Sequence, residues 1–244
     1  MIKTEKQVIK RIIQIFKNLK EFKMALQNYY WDRKRIKDIN KEKCNIGPGG
    51  ITIGISDRCN YKCLFCYGHS PLSENFYLKN DQMDMETYCK LIDSLKKLKT
   101  KHVHISGLGE PLLNPNIIEM IAYTKKNDMF VSLTTNGSLL NPLLIKKLDD
   151  IGLNNINISL NAGTEKSHRI VHQTTNYFNS IKKNIELIAS KTNIITSISF
   201  VLNKINFKEI KKMVELSIKM NVDYVAFKRL RVNKKMENLK IIGL

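Results

Sequence analysis

The sequence predicts an α/β protein in which parallel strands alternate with helices. Short β-branched and apolar runs alternate with segments whose apolar residues recur every three or four positions. No hairpin signal joins two neighbouring runs, so the strands are expected to pair in parallel through right-handed crossovers. The predicted strands cover residues 51–56, 102–106, 130–135, 155–160, 195–202 and 223–228.

Between these strands the apolar periodicity predicts amphipathic helices. The first carries apolar residues such as Tyr88, Ile92 and Leu95 on one face. Asn116 and Pro142 provide start signals for the next two helices. The predicted helices cover residues 85–98, 117–126, 141–152, 177–190 and 207–220.

An N-terminal helical extension is predicted over residues 1–48, before the core at residues 49–230 and a short tail at 231–244. Its apolar face includes Ile12, Phe16 and Leu19, and its opposite face is rich in lysine. We expect this helix to pack on the core, with Tyr29, Tyr30 and Trp31 adding apolar area. A basic amphipathic helix of this kind also suits a membrane surface or a partner protein.

Composition narrows the class of protein. The 244 residues are enough for one barrel-sized domain, no apolar run reaches transmembrane length, and the N-terminus is too charged for a secretory signal. Three of the five cysteines crowd into one loop, which favours a metal site in a reducing compartment over a disulfide framework. We therefore expect a cytoplasmic protein.

The net charge of +19 is a weak indicator of function. Basic proteins often bind nucleic acid, anionic membranes or acidic substrates. The lysines are spread over many helices, and there is no aromatic–basic motif typical of RNA binding. We interpret the charge mainly as a Lys-, Asn- and Ile-rich composition, with nucleic acid as a weakly supported partner.

The chemistry is expected at Cys59, Cys63 and Cys66, whose spacing is C-x-x-x-C-x-x-C. Three thiolates can hold three irons of a [4Fe–4S] cluster and leave the fourth iron open to a small molecule. The alternative is a zinc-stabilised interaction protein with His69 as a fourth ligand. The loop follows the strand at 51–56, and α/β folds place their active sites at the carboxyl ends of strands.

This arrangement resembles the radical S-adenosylmethionine (SAM) enzyme superfamily over roughly residues 50–230. In that family the triple-cysteine motif follows the first strand of a barrel, and an aromatic residue, here Phe65, commonly precedes the third cysteine. The resemblance implies a partial (β/α)6 TIM-like barrel, with Cys59, Cys63 and Cys66 as cluster ligands. No Cys-rich C-terminal extension is present, so one [4Fe–4S] cluster is expected.

Further motifs imply where SAM binds. Gly109 and Glu110, followed by Pro111, resemble the family's Gly-Gly-Glu-Pro motif, which contacts the amino group of the methionine moiety. Leu108 departs from that motif, because it stands where the first glycine of the pair is usual. Asn136 lies in a Thr-Asn-Gly sequence of the kind that lines the cofactor pocket.

The fourth strand is followed by a similar motif. Ser159 and Asn161 resemble the family's Ser-x-Asp, in which the serine commonly reaches the cofactor. Asn161 replaces the charged aspartate but still forms hydrogen bonds. Arg169 follows where some relatives place a basic residue for the methionine carboxylate.

The resemblance implies reductive cleavage of SAM to a 5′-deoxyadenosyl radical, which abstracts hydrogen from a substrate. A reductant such as flavodoxin or ferredoxin is then required. A peptide or protein substrate is favoured, and a nucleotide, a tRNA or a small metabolite is the alternative. Six strands are too few to close a barrel, so we also predict a lateral opening between the first and last strands.

Overall fold

The computed structural model describes residues 26, 29, 30, 33, 47–72 and 81–230. In this part of the chain the strands are β1 (Gly50–Ile53), β2 (His102–Ile105), β3 (Phe130–Thr135), β4 (Asn155–Ser159), β5 (Ile195–Leu202) and β6 (Tyr224–Arg229). The helices are α1 (Met85–Lys97), α2 (Ile117–Lys126), α3 (Pro142–Asp150), α4 (Glu165–His172), α5 (Phe178–Lys191) and α6 (Ile210–Lys219). Short 3₁₀ turns occur at Pro111–Leu113 and Phe207–Glu209.

The strands form one parallel sheet in the order β1-β2-β3-β4-β5-β6. Each strand pairs with its neighbour in sequence, as expected when every connection crosses over through a helix. Among these strands, β1 and β6 do not pair, so the sheet is open. The predicted α/β class and the six strands are confirmed.

The hydrophobic core lies between one face of the sheet and the helices. Alternate strand residues such as Val103, Leu133 and Ile158 are fully buried, and they pack with helix residues such as Ile92 and Ile185. The opposite face, here called the inner face, carries the other half of each strand and is mostly polar, with Phe130, Ile195 and Val201 as its larger apolar residues. This alternation follows from the two-residue period of a strand.

Helix α4 was not predicted, because its apolar positions are few and two of its buried residues are histidines. Its start is fixed by a capping box, in which Thr164 and Ser167 exchange side-chain and backbone hydrogen bonds. Glu209 strengthens this start: its carboxylate accepts hydrogen bonds from the Gly163 backbone and from the Thr164 and Ser167 hydroxyls.

Little of the N-terminal extension is described. Residues 26, 29, 30 and 33 are helical, and the side chains of Leu26, Tyr29 and Tyr30 are about half exposed or more. Tyr29 and Tyr30 therefore bury less than half of their surface, and Trp31 lies outside the described residues. The proposed packing face at residues 12, 16 and 19 lies outside the described residues. In the described parts of the chain, none of the helices has the length and apolar character needed to span a bilayer.

Candidate functional site

The three cysteines lie in the loop that follows β1, and each is partly buried. The backbone folds around their sulfur atoms. The Tyr61 N–H faces Cys59 Sγ at an N···S distance of 3.5 Å, and the His69 N–H faces Cys66 Sγ at 3.3 Å. Hydrogen bonds of this kind stabilise negative charge on sulfur and are one of the factors that set the potential of iron–sulfur sites.

Helix α4 supports the middle of this cysteine loop. Cys63 Sγ lies 3.0 Å from His172 Nδ1, and the Leu64 N–H donates to the Val171 carbonyl at 2.9 Å. His172 Nε2 donates to the Leu160 carbonyl at 3.0 Å, which leaves Nδ1 to accept from the Cys63 thiol. The Phe65 ring packs edge-on against His172, with ring centroids 5.8 Å apart.

The thiols are held in an environment that disfavours free thiolates. Burial, and to a lesser degree the neighbouring thiol and Glu110, raise the pKa of Cys59 to about 11. Burial, followed by the charges of Cys66 and Cys59, also raises the pKa of Cys63 well above its usual value. Ligation to a cation removes this penalty, because the metal compensates the charge of the thiolates. The sulfur-only donor set and its N–H···S contacts therefore fit an iron–sulfur cluster.

The same residues do not form the zinc site considered above. Within residues 47–72 and 81–230, no three His, Cys, Asp or Glu side chains converge closely enough to hold one metal ion. A single zinc needs its donors within roughly 2.0–2.3 Å of one point, whereas a cluster spreads its ligands over separate irons. His69 Nε2 is buried without a hydrogen-bond partner, but within these described residues its ring is not grouped with the three thiols at metal-binding distance.

The turn after β2 is bonded to the cysteine loop through backbone groups. The Gly109 N–H donates to the Ser56 carbonyl at 3.1 Å, and the Glu110 N–H donates to the Arg58 carbonyl at 2.7 Å. A Cβ atom on Gly109 would lie 2.3 Å from the Arg58 oxygen. Glycine is thus required at this position for the two loops to approach one another. Leu108 is 45% exposed and takes no part in this contact.

The Glu110 side chain points into the protein and is only 2% exposed. One carboxylate oxygen, Oε1, accepts from the Thr135 hydroxyl at 2.6 Å and from the Leu112 N–H at 3.1 Å, and Oε2 accepts from the Asn136 N–H at 2.7 Å. Burial raises the pKa of Glu110, and these hydrogen bonds oppose that shift. Since a carboxylate accepts about four hydrogen bonds, Oε2 retains capacity for one more donor.

Asn136 joins the β3 end of the site to the cysteine loop. Its Nδ2 donates to Asn60 Oδ1 at 2.9 Å, and its Oδ1 accepts from the Ser138 N–H and hydroxyl. Its side chain also lies close enough to Cys59 to lower the pKa of that thiol slightly against the effect of burial. The structure thus brings Glu110, Asn136 and the cysteine loop together at the carboxyl ends of β1, β2 and β3.

The remaining predicted residues lie elsewhere. Ser159 is half-buried at the end of β4, with its hydroxyl 3.4 Å from the Ser199 hydroxyl. Asn161 is buried in a left-handed conformation and its Oδ1 accepts from the Val201 N–H at 2.7 Å, so it fixes the end of β5. Arg169 is exposed on α4 and lines an open surface groove with Lys166 and Gln173. The SAM contacts assigned to these three residues stay predictions.

Sequence reasoning missed His172 as a neighbour of the cysteine motif, and it assigned no role to Asn60 and Tyr61 within the motif. Tyr61 is 1% exposed, and its ring lies 5.2 Å from that of His172 between centroids. The Thr164–Ser167 capping box was the available signal for α4, and the spacing of His168 and His172 would have placed both on one face. Nothing in the sequence indicated that this face meets the cysteine loop.

Comparison with known proteins agrees with this geometry. The family model described as the Radical SAM superfamily matches residues 53–217. A GTP 3′,8-cyclase of Clostridium acetobutylicum is 35% identical over 181 residues, which are 71% of this chain and 54% of that protein. The chain spans between 39% and 58% of the length of the curated relatives compared.

Solved structures show the same fold. Streptococcus suis SuiB bound to SAM superposes with a TM-score of 0.67 at 19% identity, covering 83% of this chain and 45% of that one. Native anSMEcpe with bound AdoMet superposes with a TM-score of 0.63 at 19% identity, covering 75% and 52%. With the family model matching most of the chain and the cysteine loop at the end of β1, this chain belongs to the Radical SAM superfamily.

Proposed function

We propose that this protein binds one [4Fe–4S] cluster through Cys59, Cys63 and Cys66 and uses it to cleave SAM reductively. The observation that carries the proposal is the junction of the cysteine loop with the Gly109–Glu110 turn through two backbone hydrogen bonds. When bound, the cluster and SAM together supply a 5′-deoxyadenosyl radical, which abstracts hydrogen from substrate. A one-electron donor such as flavodoxin or ferredoxin is the expected reductant.

The chain's own residues bind and orient the cofactors. The three thiols would hold the cluster, and the rings of Phe65 and Tyr61, both from the cysteine loop, pack against His172 beside Cys63. Oε2 of Glu110 has the acceptor capacity for the ammonium group of SAM, and a charge-assisted hydrogen bond there fixes its orientation.

Five further residues are proposed to line the SAM pocket. The Gly109 backbone and the Asn136 side chain lie beside the cysteine loop, while Ser159 lies at the end of β4. Asn161 and Arg169 are proposed as cofactor-binding residues of the same pocket, with Arg169 for the methionine carboxylate, on the family resemblance alone.

The substrate does not follow from the superfamily, because related proteins act on different classes of molecule. Several curated relatives are named as GTP 3′,8-cyclases, one is named as a cofactor-modifying protein, and SuiB has been crystallised with its precursor peptide. A nucleotide, a cofactor and a peptide are thus all represented. We propose a peptide or protein as the substrate, as the sequence analysis favoured, with a nucleotide, a tRNA or a small metabolite as the alternative. The cytoplasm remains the predicted location, from the cysteine pattern.

The test is anaerobic incubation of reconstituted protein with SAM and dithionite. We expect 5′-deoxyadenosine to form, and a broad iron–sulfide absorption band that bleaches on reduction. A colourless protein that binds zinc and forms no 5′-deoxyadenosine would contradict the proposal.

A further inference from the structure

The inner face of the sheet is lined by polar side chains. They alternate with the core residues, and they range from exposed to buried. This face differs from an apolar barrel interior, which is filled by branched aliphatic residues. The polar inner-face residues are Thr52, His102, His104, Ser132, Thr134, Asn155, Asn157, Ser159, Ser197, Ser199, Tyr224 and Lys228.

Hydrogen bonds between strands fix many of these groups in place. His104 Nδ1 lies 2.7 Å from the Ser132 hydroxyl, and its Nε2 lies 3.2 Å from the Thr134 hydroxyl. Asn157 Nδ2 donates to the Ser197 hydroxyl at 2.9 Å. A polar surface held by its own hydrogen bonds is prepared to bind a polar ligand without reorganisation.

The charge on this face has one sign. None of the six strands contains Asp or Glu, and the carboxylates that follow them, such as Asp57, Glu110 and Glu209, lie outside the strands. Burial lowers the pKa of both His102 and His104, so both are neutral near pH 7. Lys228 is then the permanent positive charge of the inner face.

The strand register places Lys228 on this face. Lys228 pairs with Val201, and two residues earlier in each strand Ala226 pairs with Ser199. Tyr224, the first inner-face residue of β6, accepts a hydrogen bond from Asn155 Nδ2 through its hydroxyl at 2.9 Å. Phe227 faces the other way, because its ring stacks on the buried Phe200 at 5.4 Å between centroids.

Lys228 also lies at the end of the sheet where the chemistry is expected. It is the last but one residue of β6, and the carboxyl ends of parallel strands share one edge with the cysteine loop. Its ammonium is near enough to His104 for its charge to contribute to the lowered pKa of that imidazole, after burial and His102. The side chain is exposed, so the ammonium is open to a ligand.

We propose that the substrate carries an oxyanion, a phosphate ester or a carboxylate, which binds on the inner face to Lys228 with His104 and the neighbouring hydroxyl groups beside it. The proposal rests on the proposed radical SAM function and names the substrate class of that same site. A lysine ammonium with neutral donors around it is suited to a phosphate or carboxylate oxygen. The lack of carboxylates on the strands removes the repulsion that such a ligand would otherwise meet.

The chain provides a matched pair of variants for the test. Lys228→Gln and Arg229→Gln each remove one exposed positive charge from adjacent positions of β6, but only the first changes the inner face. Cluster-loaded protein is titrated with ribose 5-phosphate and, separately, with glutarate in anaerobic calorimetry in the presence of SAM. His104→Gln is a second variant on the same face.

We expect at least one probe to bind, with about tenfold weaker binding to the Lys228→Gln protein and little change for Arg229→Gln. His104→Gln should weaken the same probe severalfold. Binding of ribose 5-phosphate alone would identify a phosphate ester, and binding of glutarate alone a carboxylate.

The proposal is overturned if neither probe binds, or if the two β6 variants lose affinity equally. Formation of 5′-deoxyadenosine by the wild-type protein is measured in parallel. Cleavage of SAM without probe binding would refute the substrate class alone. Probe binding that depends on Lys228, without SAM cleavage, would refute the proposed function instead.

Discussion

Replacement of Glu110 by alanine is the perturbation whose size follows most directly from the structure. The carboxylate is buried and accepts hydrogen bonds from the Thr135 hydroxyl and from the backbone N–H groups of Leu112 and Asn136. Each buried donor left without an acceptor costs about 1–3 kcal/mol, although water entering the vacated space recovers part of this. Burial raises the pKa of Glu110, which means that its charge is costly to bury, so removing the carboxylate offsets a further part of the lost stability.

We therefore expect Glu110→Ala to lower the free energy of unfolding by about 2–4 kcal/mol. Glu110→Gln retains an acceptor for Thr135 and Leu112 but turns an amide NH₂ towards the Asn136 N–H, so about 1–2 kcal/mol is expected. Urea denaturation of the cluster-free protein measures both values. An unchanged denaturation midpoint for Glu110→Ala would refute the view that this carboxylate ties the ends of β2 and β3 together.

The Glu110→Gln protein also tests the proposed contact with SAM. If Oε2 accepts from the SAM ammonium, its loss should weaken SAM binding by roughly 1.5–3 kcal/mol, or about ten- to a hundredfold. Anaerobic calorimetry on cluster-loaded protein measures this. Unchanged affinity in a folded Glu110→Gln protein would assign the residue a structural role only.

Three other predictions concern the same region. Cys63→Ala should lose most of its iron and sulfide while Cys89→Ala, on α1, keeps both; full cluster content in the first would exclude it as a ligand. Gly109→Ala should impair cluster incorporation, since its Cβ would lie 2.3 Å from a backbone carbonyl oxygen, whereas Gly54→Ala meets only ordinary contacts at 3.6 Å and should match wild type. Burial lowers the pKa of His168 to about 4, so as pH falls from 6.5 towards 4 the unfolded chain binds this proton before the folded protein does. The free energy of unfolding should therefore decrease by roughly 2–3 kcal/mol over that range. His168→Phe should flatten the decline of the denaturation midpoint with falling pH, and an unaltered slope would show that His168 is not its cause.

The strands and most helices were predictable because their information is local. The β-branched runs at β1 and β5 and the apolar faces of α1 and α5 record burial on one side of each element. Helix α4 was not predicted, because its buried face lacks a clear hydrophobic period and consists of Ser167, His168, Val171 and His172. Its capping box is a local signal, but a weak one when read alone.

The site was predictable as a set of motifs but not as a set of contacts. The cysteine spacing and the Gly109–Glu110 turn were visible in the sequence. Glu110 accepts hydrogen bonds from the Thr135 hydroxyl and from two backbone N–H groups. These bonds depend on how the loops meet in space, which the spacing of residues in the sequence does not indicate. The approach of His172 to Cys63 is likewise a contact between residues 109 positions apart.

The central claim is that the cysteine loop and the turn beside it together support reductive cleavage of SAM. The most direct measurement is the amount of 5′-deoxyadenosine formed per cluster by anaerobically reconstituted protein with SAM and dithionite, compared with the Cys63→Ala protein. The account predicts 5′-deoxyadenosine from the wild-type protein and only background from the variant. No 5′-deoxyadenosine from fully cluster-loaded wild-type protein, or equal amounts from both proteins, would contradict it.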